Sequence, residues 1–227
     1  PKGYLSWILK GQSKGFLKQY QEAIKDFDKA IENDPKDYVA LYFRGQSKGF
    51  LNQYQEAIKD FDKAIEINSE NDELWASRGG CKFALEQYEE AIKDFDKAIE
   101  IAPKNFNSLF LRGKSKYVRE QYDEAIKDFD KAINLDTEHW ETWKLRGESK
   151  FALQQYEEAI IDFDKAIEID PQQSESWEMR GLTYLKTIRY ELAEKDFKKA
   201  YEINGDKVAF NFYIGKIFYS KENNYLA

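Results

Sequence analysis

The chain has 227 residues and a net charge of −7, with 42% hydrophobic and 34% charged residues. This length accommodates one large domain or two small ones. The many Ala, Glu and Lys residues favour amphipathic helices over strands. The negative charge argues against a nucleic-acid partner, because such a surface needs clustered positive charge.

Two further observations narrow the class of protein. No stretch of the sequence approaches the run of about 18 apolar residues that a membrane-spanning helix needs, so we expect no membrane partner. The single cysteine, Cys81, cannot form an internal disulfide, which fits a reducing compartment. The cytoplasm is therefore favoured, and the compartment is otherwise open.

From Tyr4 onward the pattern predicts pairs of helices. The first helix of a pair is exemplified by Asn71 to Leu85. The second carries apolar residues at i, i+3, i+4, i+7, i+10 and i+11, which is the spacing of one helical face. In the third pair these residues are Tyr88, Ala91, Ile92, Phe95, Ala98 and Ile99. The residues that end the second helices are Pro35, Ser69, Pro103, Thr137, Pro171 and Gly205.

The helix pairs belong to an internal repeat of 34 residues without insertions. The segment from Gln19 to Ile31, QYQEAIKDFDKAI, returns with small changes, and its tyrosine marks six copies: Tyr20, Tyr54, Tyr88, Tyr122, Tyr156 and Tyr190. A glycine in the first helix recurs at the same spacing of 34 residues: Gly11, Gly45, Gly79, Gly113, Gly147, Gly181 and Gly215. Because a helical glycine costs about 1 kcal/mol, we expect it to allow close approach of the two helices, against the small alanine of the second.

Charged residues repeat as well. Arginine recurs in the first helix at Arg44, Arg78, Arg112, Arg146 and Arg180, and aspartate recurs in the second at Asp26, Asp60, Asp94, Asp128, Asp162 and Asp196. A buried arginine without a partner is very costly. We therefore predict that the repeated arginines and aspartates form ion pairs across the two helices.

Numbered from Tyr4, each unit has a bulky residue at position 4, Gly at 8, Tyr at 17, Ala at 20, Phe at 24, Ala at 27 and often Pro at 32. This pattern resembles the tetratricopeptide repeat family over essentially the whole chain. The resemblance implies an all-α fold, a right-handed superhelical solenoid of antiparallel helix pairs whose first helices line a concave groove. We expect a single array over 4–227, with repeats 4–37, 38–71, 72–105, 106–139, 140–173 and 174–207, then a partial repeat or capping helix at 208–227.

The repeats differ most in the segment just before the glycine. That variable part lies where the resemblance places the groove, as expected for a binding surface on a fixed scaffold. We therefore predict a scaffold that binds a peptide or partner protein. The groove residues implied by the resemblance are Tyr42, Gln46, Phe50, Phe83, Phe110, Lys114, Tyr117, Lys144, Glu148, Phe151 and Glu178. The groove is then aromatic at one end and acidic at the other, suiting a peptide with apolar anchors and a basic end. In the competing interpretation, Phe83, Tyr117 and Phe151 only pack between adjacent first helices.

No pattern indicates an enzyme or a cofactor. His139 is the single histidine, which argues against a histidine-based triad or a metal site with several histidines. The repeated Asp-Phe-Asp does not pair its carboxylates, because residues two apart do not share a helical face. We therefore expect no catalytic residues, no metal and no cofactor.

Both chain ends resemble cuts inside an array. Pro1 to Gly3 matches the last positions of a preceding repeat, and Ala227 lies at position 20 of a seventh. We therefore expect a fragment of a longer repeat protein. Two alternatives to peptide binding stay open: a structural or self-assembling array that associates end to end, and RNA binding through helical repeats, which the acidic balance disfavours.

Overall fold

The computed structural model describes residues 4–224 and places thirteen α-helices there, with no strand in that range. The predicted all-α class is therefore confirmed. The first seven helices are α1 (Tyr4–Phe16), α2 (Tyr20–Asn33), α3 (Tyr38–Phe50), α4 (Tyr54–Ile67), α5 (Asp72–Ala84), α6 (Tyr88–Ile101) and α7 (Phe106–Val118). The other six are α8 (Tyr122–Ile133), α9 (Trp140–Ala152), α10 (Tyr156–Ile169), α11 (Ser174–Lys186), α12 (Tyr190–Asn204) and α13 (Lys207–Asn224).

The helices form two compact units, with a boundary between Arg119 and Glu120. Unit 1 contains α1 to α7, and unit 2 contains α8 to α13. Inside each unit every helix packs against the next one along the chain. The boundary lies within the predicted fourth repeat, 106–139, between its two helices. The predicted features of Pro1 to Gly3 and of Ala227 lie outside the described residues.

A tight turn joins the two helices of each repeat. One residue of this turn has a positive φ near 60° in six repeats, and none of the six is glycine: Lys18, Asn52, Glu86, Glu120, Gln154 and Ile188. At the other end of the repeat, polar side chains begin several first helices. Asp37 Oδ1, for example, accepts hydrogen bonds from the backbone N–H groups of Val39 and Ala40, at 2.8 and 3.1 Å.

The core of each repeat is the phenylalanine of the second helix, which is almost fully buried in every copy: Phe27, Phe61, Phe95, Phe129, Phe163 and Phe197. In the third repeat, a Cβ added to Gly79 would lie only 2.8 Å from Cε1 of Phe95. The glycine does allow close approach, but the expectation that it faces the small alanine is wrong. It faces the phenylalanine ring, which needs the space that a Cβ would occupy.

The predicted ion pairs between first and second helices are confirmed. Arg78 donates from Nε and Nη2 to the two carboxylate oxygens of Asp94, at 2.9 and 2.6 Å. Its Nη1 donates to Asp62 of the preceding repeat at 2.6 Å. Lys82 also lies 2.7 Å from Asp94. Three other arginines make the same two contacts: Arg44 with Asp60 and Asp28, Arg146 with Asp162 and Asp130, and Arg180 with Asp196 and Asp164.

These recurring contacts of each arginine with two aspartates, called the arginine ladder below, explain the repeated Asp-Phe-Asp. The first aspartate is buried and holds the two helices of one repeat together, whereas the second is half exposed and reaches the arginine of the next repeat. Burial alone would lower the pKa of Arg78, but its hydrogen bonds to Asp94 and Asp62 outweigh that effect and raise the pKa. The guanidinium is therefore permanently charged and bridges two repeats.

Among the residues that the structure describes, successive first helices lie closer to each other than successive second helices do. In unit 1, α1 contacts α3, α3 contacts α5 and α5 contacts α7, and in unit 2, α9 contacts α11. Between second helices of one unit, no comparable contact exists among the described residues. The side of each unit formed by its first helices, called the first-helix face below, is therefore the more closely spaced side. No helix of residues 4–224 combines the length and apolar character needed to cross a membrane.

Cys81 provides a test of the packing between repeats. Its side chain is buried in unit 1, and burial raises the pKa of its thiol from 9.0 to about 11. At pH 8 we expect a thiolate population about a hundredfold below that of an unfolded cysteine, and correspondingly slow labelling by a disulfide reagent. The folded thiol holds its proton more tightly than the unfolded one. Stability should therefore fall as pH rises between about 9 and 11.

The control for this test is the same labelling in guanidinium chloride, where Cys81 should react as a free cysteine does. Native labelling as fast as that of the unfolded chain would show that α5 does not pack as described.

Candidate functional site

The first-helix face of unit 1 begins with a pair of predicted residues that the structure brings together. Gln46 Nε2 donates a hydrogen bond to Tyr42 Oη at 2.6 Å, one turn apart on α3. Burial raises the pKa of the Tyr42 phenol, and the nearby Glu73 carboxylate raises it further. The tyrosine is therefore a neutral aromatic surface with a polar end, and its ring packs against Phe43 and Phe61.

Phe50 lies at the end of α3 and is 66% exposed. Its ring stacks on Tyr20 of the preceding repeat, with ring centroids 4.8 Å apart and an interplanar angle of 17°. A phenylalanine that is stacked on a neighbouring ring and is still exposed presents a large apolar surface to solvent.

A cavity of about 350 Å³ lies beside Phe50, between α1, α2 and α3. Its walls include Phe16, Tyr20, Phe27, Phe43, Gln46 and Phe50. Only Gln46 and Phe50 of these were predicted from the sequence. The twelfth residue of the repeat is Gly15 in the first repeat and Phe83 in the third. A comparison of this position between repeats could have indicated that a side chain is missing there and that its neighbours line a cavity.

The remaining predicted residues of unit 1 lie on α5 and α7. Phe83 is half buried and meets Tyr88 edge to face, with centroids 5.4 Å apart. Phe110 is buried and stacks on Phe106 at 5.9 Å, and the Lys114 ammonium lies 5.7 Å from its ring. Tyr117 is half buried. This part of the face therefore combines aromatic rings with an ammonium group.

In unit 2 two of the predicted residues, Lys144 and Glu148, form an ion-paired group with Glu175. Lys144 on α9 is buried, and its ammonium lies 2.5 Å from Glu175 and 3.7 Å from Glu148. Burial alone would lower the pKa of Lys144, and these carboxylates outweigh it and raise the pKa. Phe151 meets Tyr156 edge to face at 5.5 Å, as Phe83 meets Tyr88. Burial also raises the pKa of Glu178, which accepts a hydrogen bond from Asn204 at 3.0 Å.

The variable segment does not belong to the groove throughout. The Trp75 indole N–H donates back to the Ser69 carbonyl at 2.8 Å, and the Arg78 guanidinium lies 4.8 Å from its ring. Trp143 and Trp177 make the same two contacts, each with a carbonyl at the end of the preceding repeat and with the arginine of its own repeat. These tryptophans support the arginine ladder, so part of the variation between repeats concerns stacking.

His139 stands at the N-terminus of α9, where its Nδ1 lies 2.8 Å from Thr142 Oγ1. No group of three or more His, Cys, Asp or Glu side chains is arranged to hold a metal ion within residues 4–224. What the first-helix faces offer chemically is contact area, amide and ammonium donors, and carboxylate acceptors.

Sequence models of the tetratricopeptide repeat match most of the chain. One tetratricopeptide repeat model matches residues 38–71 and 73–105, and a second matches residues 4–37 and 174–207. A third model, described as TPR repeat, matches residues 147–187. A model described as anaphase-promoting complex, cyclosome, subunit 3 matches residues 94–166. No curated protein matches the sequence significantly.

Several solved structures share the fold. YrrB, described as a TPR protein with an unusual peptide-binding site, aligns with a TM-score of 0.74 and 23% identity over 86% of this chain and 97% of its own. PilF of Pseudomonas aeruginosa aligns with a TM-score of 0.79 and 15% identity, over 95% of this chain and 98% of its own. The APC/C hetero-tetramer Cut9–Hcn1 aligns with a TM-score of 0.72 and 17% identity, over 94% of this chain and 42% of that one. The predicted tetratricopeptide-type fold is therefore confirmed.

Proposed function

The chain belongs to the tetratricopeptide repeat family, and we propose that it is a scaffold that binds a peptide segment of a partner protein on its first-helix faces. The observation that carries this proposal is the surface of unit 1. Aromatic side chains of three first helices, α3, α5 and α7, lie there beside polar groups that can fix a peptide backbone.

The aromatic groups supply affinity. Phe50 is exposed, and Tyr42 and Phe83 are half buried. Such rings offer a large contact area with few rotatable bonds, so they lose little entropy when they hold a ligand. Gln46 and Lys114 add an amide and an ammonium group on the same helices, and extended peptide backbones have carbonyls that accept hydrogen bonds from such donors.

The charges of unit 2 favour a basic ligand segment. Lys144 is held by Glu148 and Glu175, and the raised pKa of Glu178 reflects burial together with the nearby Glu175 and Asp206 carboxylates. One buried ammonium thus stands among several carboxylates. A lysine or arginine of a ligand would find acceptors there, in agreement with a peptide that has apolar anchors and a basic end.

The comparisons support this class of function. YrrB is described with a peptide-binding site, and Cut9–Hcn1 is a complex of two proteins. We infer that this chain likewise acts by binding and not by catalysis, with protein and not nucleic acid as its partner.

The test is a selection of peptides from a random displayed library on the immobilised chain, followed by calorimetry with a selected peptide. The double variant Gln46→Ala, Lys114→Ala should bind at least about tenfold more weakly, because it removes both donors from the face.

The matched control is Lys97→Ala, Glu100→Ala, which removes an exposed ion pair of 2.7 Å from the second helix α6. This control should bind within about twofold of the unchanged chain, as expected for an exposed pair outside the binding face. A selection that yields no peptide, or equal affinities for the two double variants, would overturn the proposal.

A further inference from the structure

We propose that the cavity between α1, α2 and α3 is a pocket for one aromatic side chain of the bound segment. This inference rests on the proposed function and deepens it, because it names the chemistry of one ligand residue and the place where that residue binds. The argument comes from comparing the repeats with each other.

The twelfth residue of a repeat is aromatic in the third, fourth and fifth copies, as Phe83, Tyr117 and Phe151. Phe83 and Phe151 each pack edge to face on the tyrosine five residues later, with centroids 5.4 and 5.5 Å apart. In the first repeat the corresponding residue is Gly15, and the tyrosine five residues later is Tyr20. The twelfth-position ring that the chain supplies in two later repeats is therefore missing here, and Tyr20 is stacked instead by Phe50 of the next repeat.

The space left by that ring is open. A Cβ added to Gly15 would meet no atom within 4 Å. The cavity of about 350 Å³ next to it exceeds the roughly 150 Å³ that is enough to hold benzene in a protein interior. Because Phe83 and Phe151 show that an aromatic ring is compatible with this position of the repeat, the shape of the vacant site fits an aromatic side chain.

The walls of the cavity match the same ligand. Phe27 and Phe43 stack on each other at 6.0 Å, and Tyr20 and Phe50 at 4.8 Å, so two aromatic pairs face the cavity. Aromatic rings placed 4.5–7 Å from one another attract beyond the effect of burial alone. An entering ring would therefore gain contacts that an aliphatic side chain cannot make.

Exposure at the rim is an independent observation. Phe16 is 88% exposed and Phe50 is 66% exposed, and both line the cavity. They occupy the thirteenth position of their repeats, where Ala84, Ala152 and Lys186 stand in three later ones. The first two repeats thus have glycine instead of an aromatic residue at the twelfth position, and they have a phenylalanine at the thirteenth position, at the edge of the cavity. Exposed apolar residues that surround an apolar cavity are typical of a ligand site.

The experiment titrates the ¹⁵N-labelled chain with N-acetyl-phenylalanine amide and follows the backbone amide signals. We expect shifts at the residues lining the cavity, with a Kd on the order of 1 mM for so small a probe. N-acetyl-alanine amide, which lacks the ring, should cause none. Absence of shifts at the cavity with the phenylalanine probe would overturn the proposal.

Two substitutions of one residue sharpen the test. Gly15→Phe supplies the missing ring and should weaken binding of the probe at least about tenfold. Gly15→Ala also raises helix propensity but leaves the cavity open, so it should bind as the unchanged chain does. Equal binding by the two variants would also contradict the pocket, and melting temperatures would show that both are folded.

The result is separable from the proposed function. Selected peptides that bind Gly15→Phe and Gly15→Ala equally would overturn the pocket and leave peptide binding intact. Binding of the phenylalanine probe in the cavity, together with a library selection that yields no peptide, would support the pocket and overturn the scaffold function.

Discussion

Replacing Asp94 with asparagine should lower the free energy of unfolding by about 3 kcal/mol, as expected when one partner of a buried ion pair is removed. The Asp94 side chain is 3% exposed and accepts hydrogen bonds from Arg78 Nε and Nη2, and Lys82 lies 2.7 Å away. A neutral side chain would leave two largely buried cations without their shared counter-ion. Chemical denaturation followed by circular dichroism measures the change.

Asp96→Asn is the matched control, two residues further along the same helix. Its carboxylate is 54% exposed and makes an ion pair of 2.7 Å with Arg112. The Arg112 side chain is only 12% exposed, but the Asp96 carboxylate itself is half in water, so removing its charge should cost about 1 kcal/mol, clearly less than at Asp94. Equal losses for the two variants would show that burial does not distinguish the two aspartates, contrary to the ladder described above.

Replacing Gly79 and Gly80 with alanine, one at a time, should change stability in opposite directions. A Cβ at Gly79 would lie 2.8 Å from Cε1 and 3.0 Å from Cδ1 of the fully buried Phe95, whose ring has no room to move away. Overpacking of this kind costs about 1–3 kcal/mol, more than the gain in helix propensity. At Gly80 no atom lies within 4 Å of the added carbon, so the variant should be more stable by up to about 1 kcal/mol.

The two glycine variants share one helix, one chemical change and one unfolded chain, so the difference between their unfolding free energies isolates the contact with Phe95. Thermal and urea denaturation of both variants would measure it. If Gly79→Ala proved as stable as Gly80→Ala, the close approach of α5 to Phe95 would be contradicted.

The repeat made the helices and the ion pairs predictable. A constant step of 34 residues places the same residue in the same environment in each copy, so a charge that recurs must have a recurring partner. The sequence could not show which side chain faces the glycine. The alanine and the phenylalanine of the second helix, such as Ala91 and Phe95, lie one turn apart on the same face, and only the relative height of the two helices decides between them.

The binding face was harder to predict, because a first helix has neighbours on several sides. Variation before the glycine marks residues that differ between repeats, but it does not separate those that face a ligand from those that face the ladder. Trp75 belongs to the ladder, whereas Tyr42, one position further in its own repeat, lies beside Gln46. Phe83 and Phe151 contact Tyr88 and Tyr156, which lie on the second helices of the same repeats, so these contacts do not decide whether the two rings pack between adjacent first helices or face a ligand. These rings nonetheless indicate what the vacant site at Gly15 fits.

The central claim is that the first helices form the binding face and the second helices form its support. The most direct measurement is a titration of the ¹⁵N-labelled chain with a peptide selected on it, followed by backbone amide signals. The account predicts that in unit 1 the largest shifts fall on α1, α3, α5 and α7, and that the exposed sides of α4 and α6 change little. Largest shifts on the exposed sides of α4 and α6, with the first helices unchanged, would contradict it.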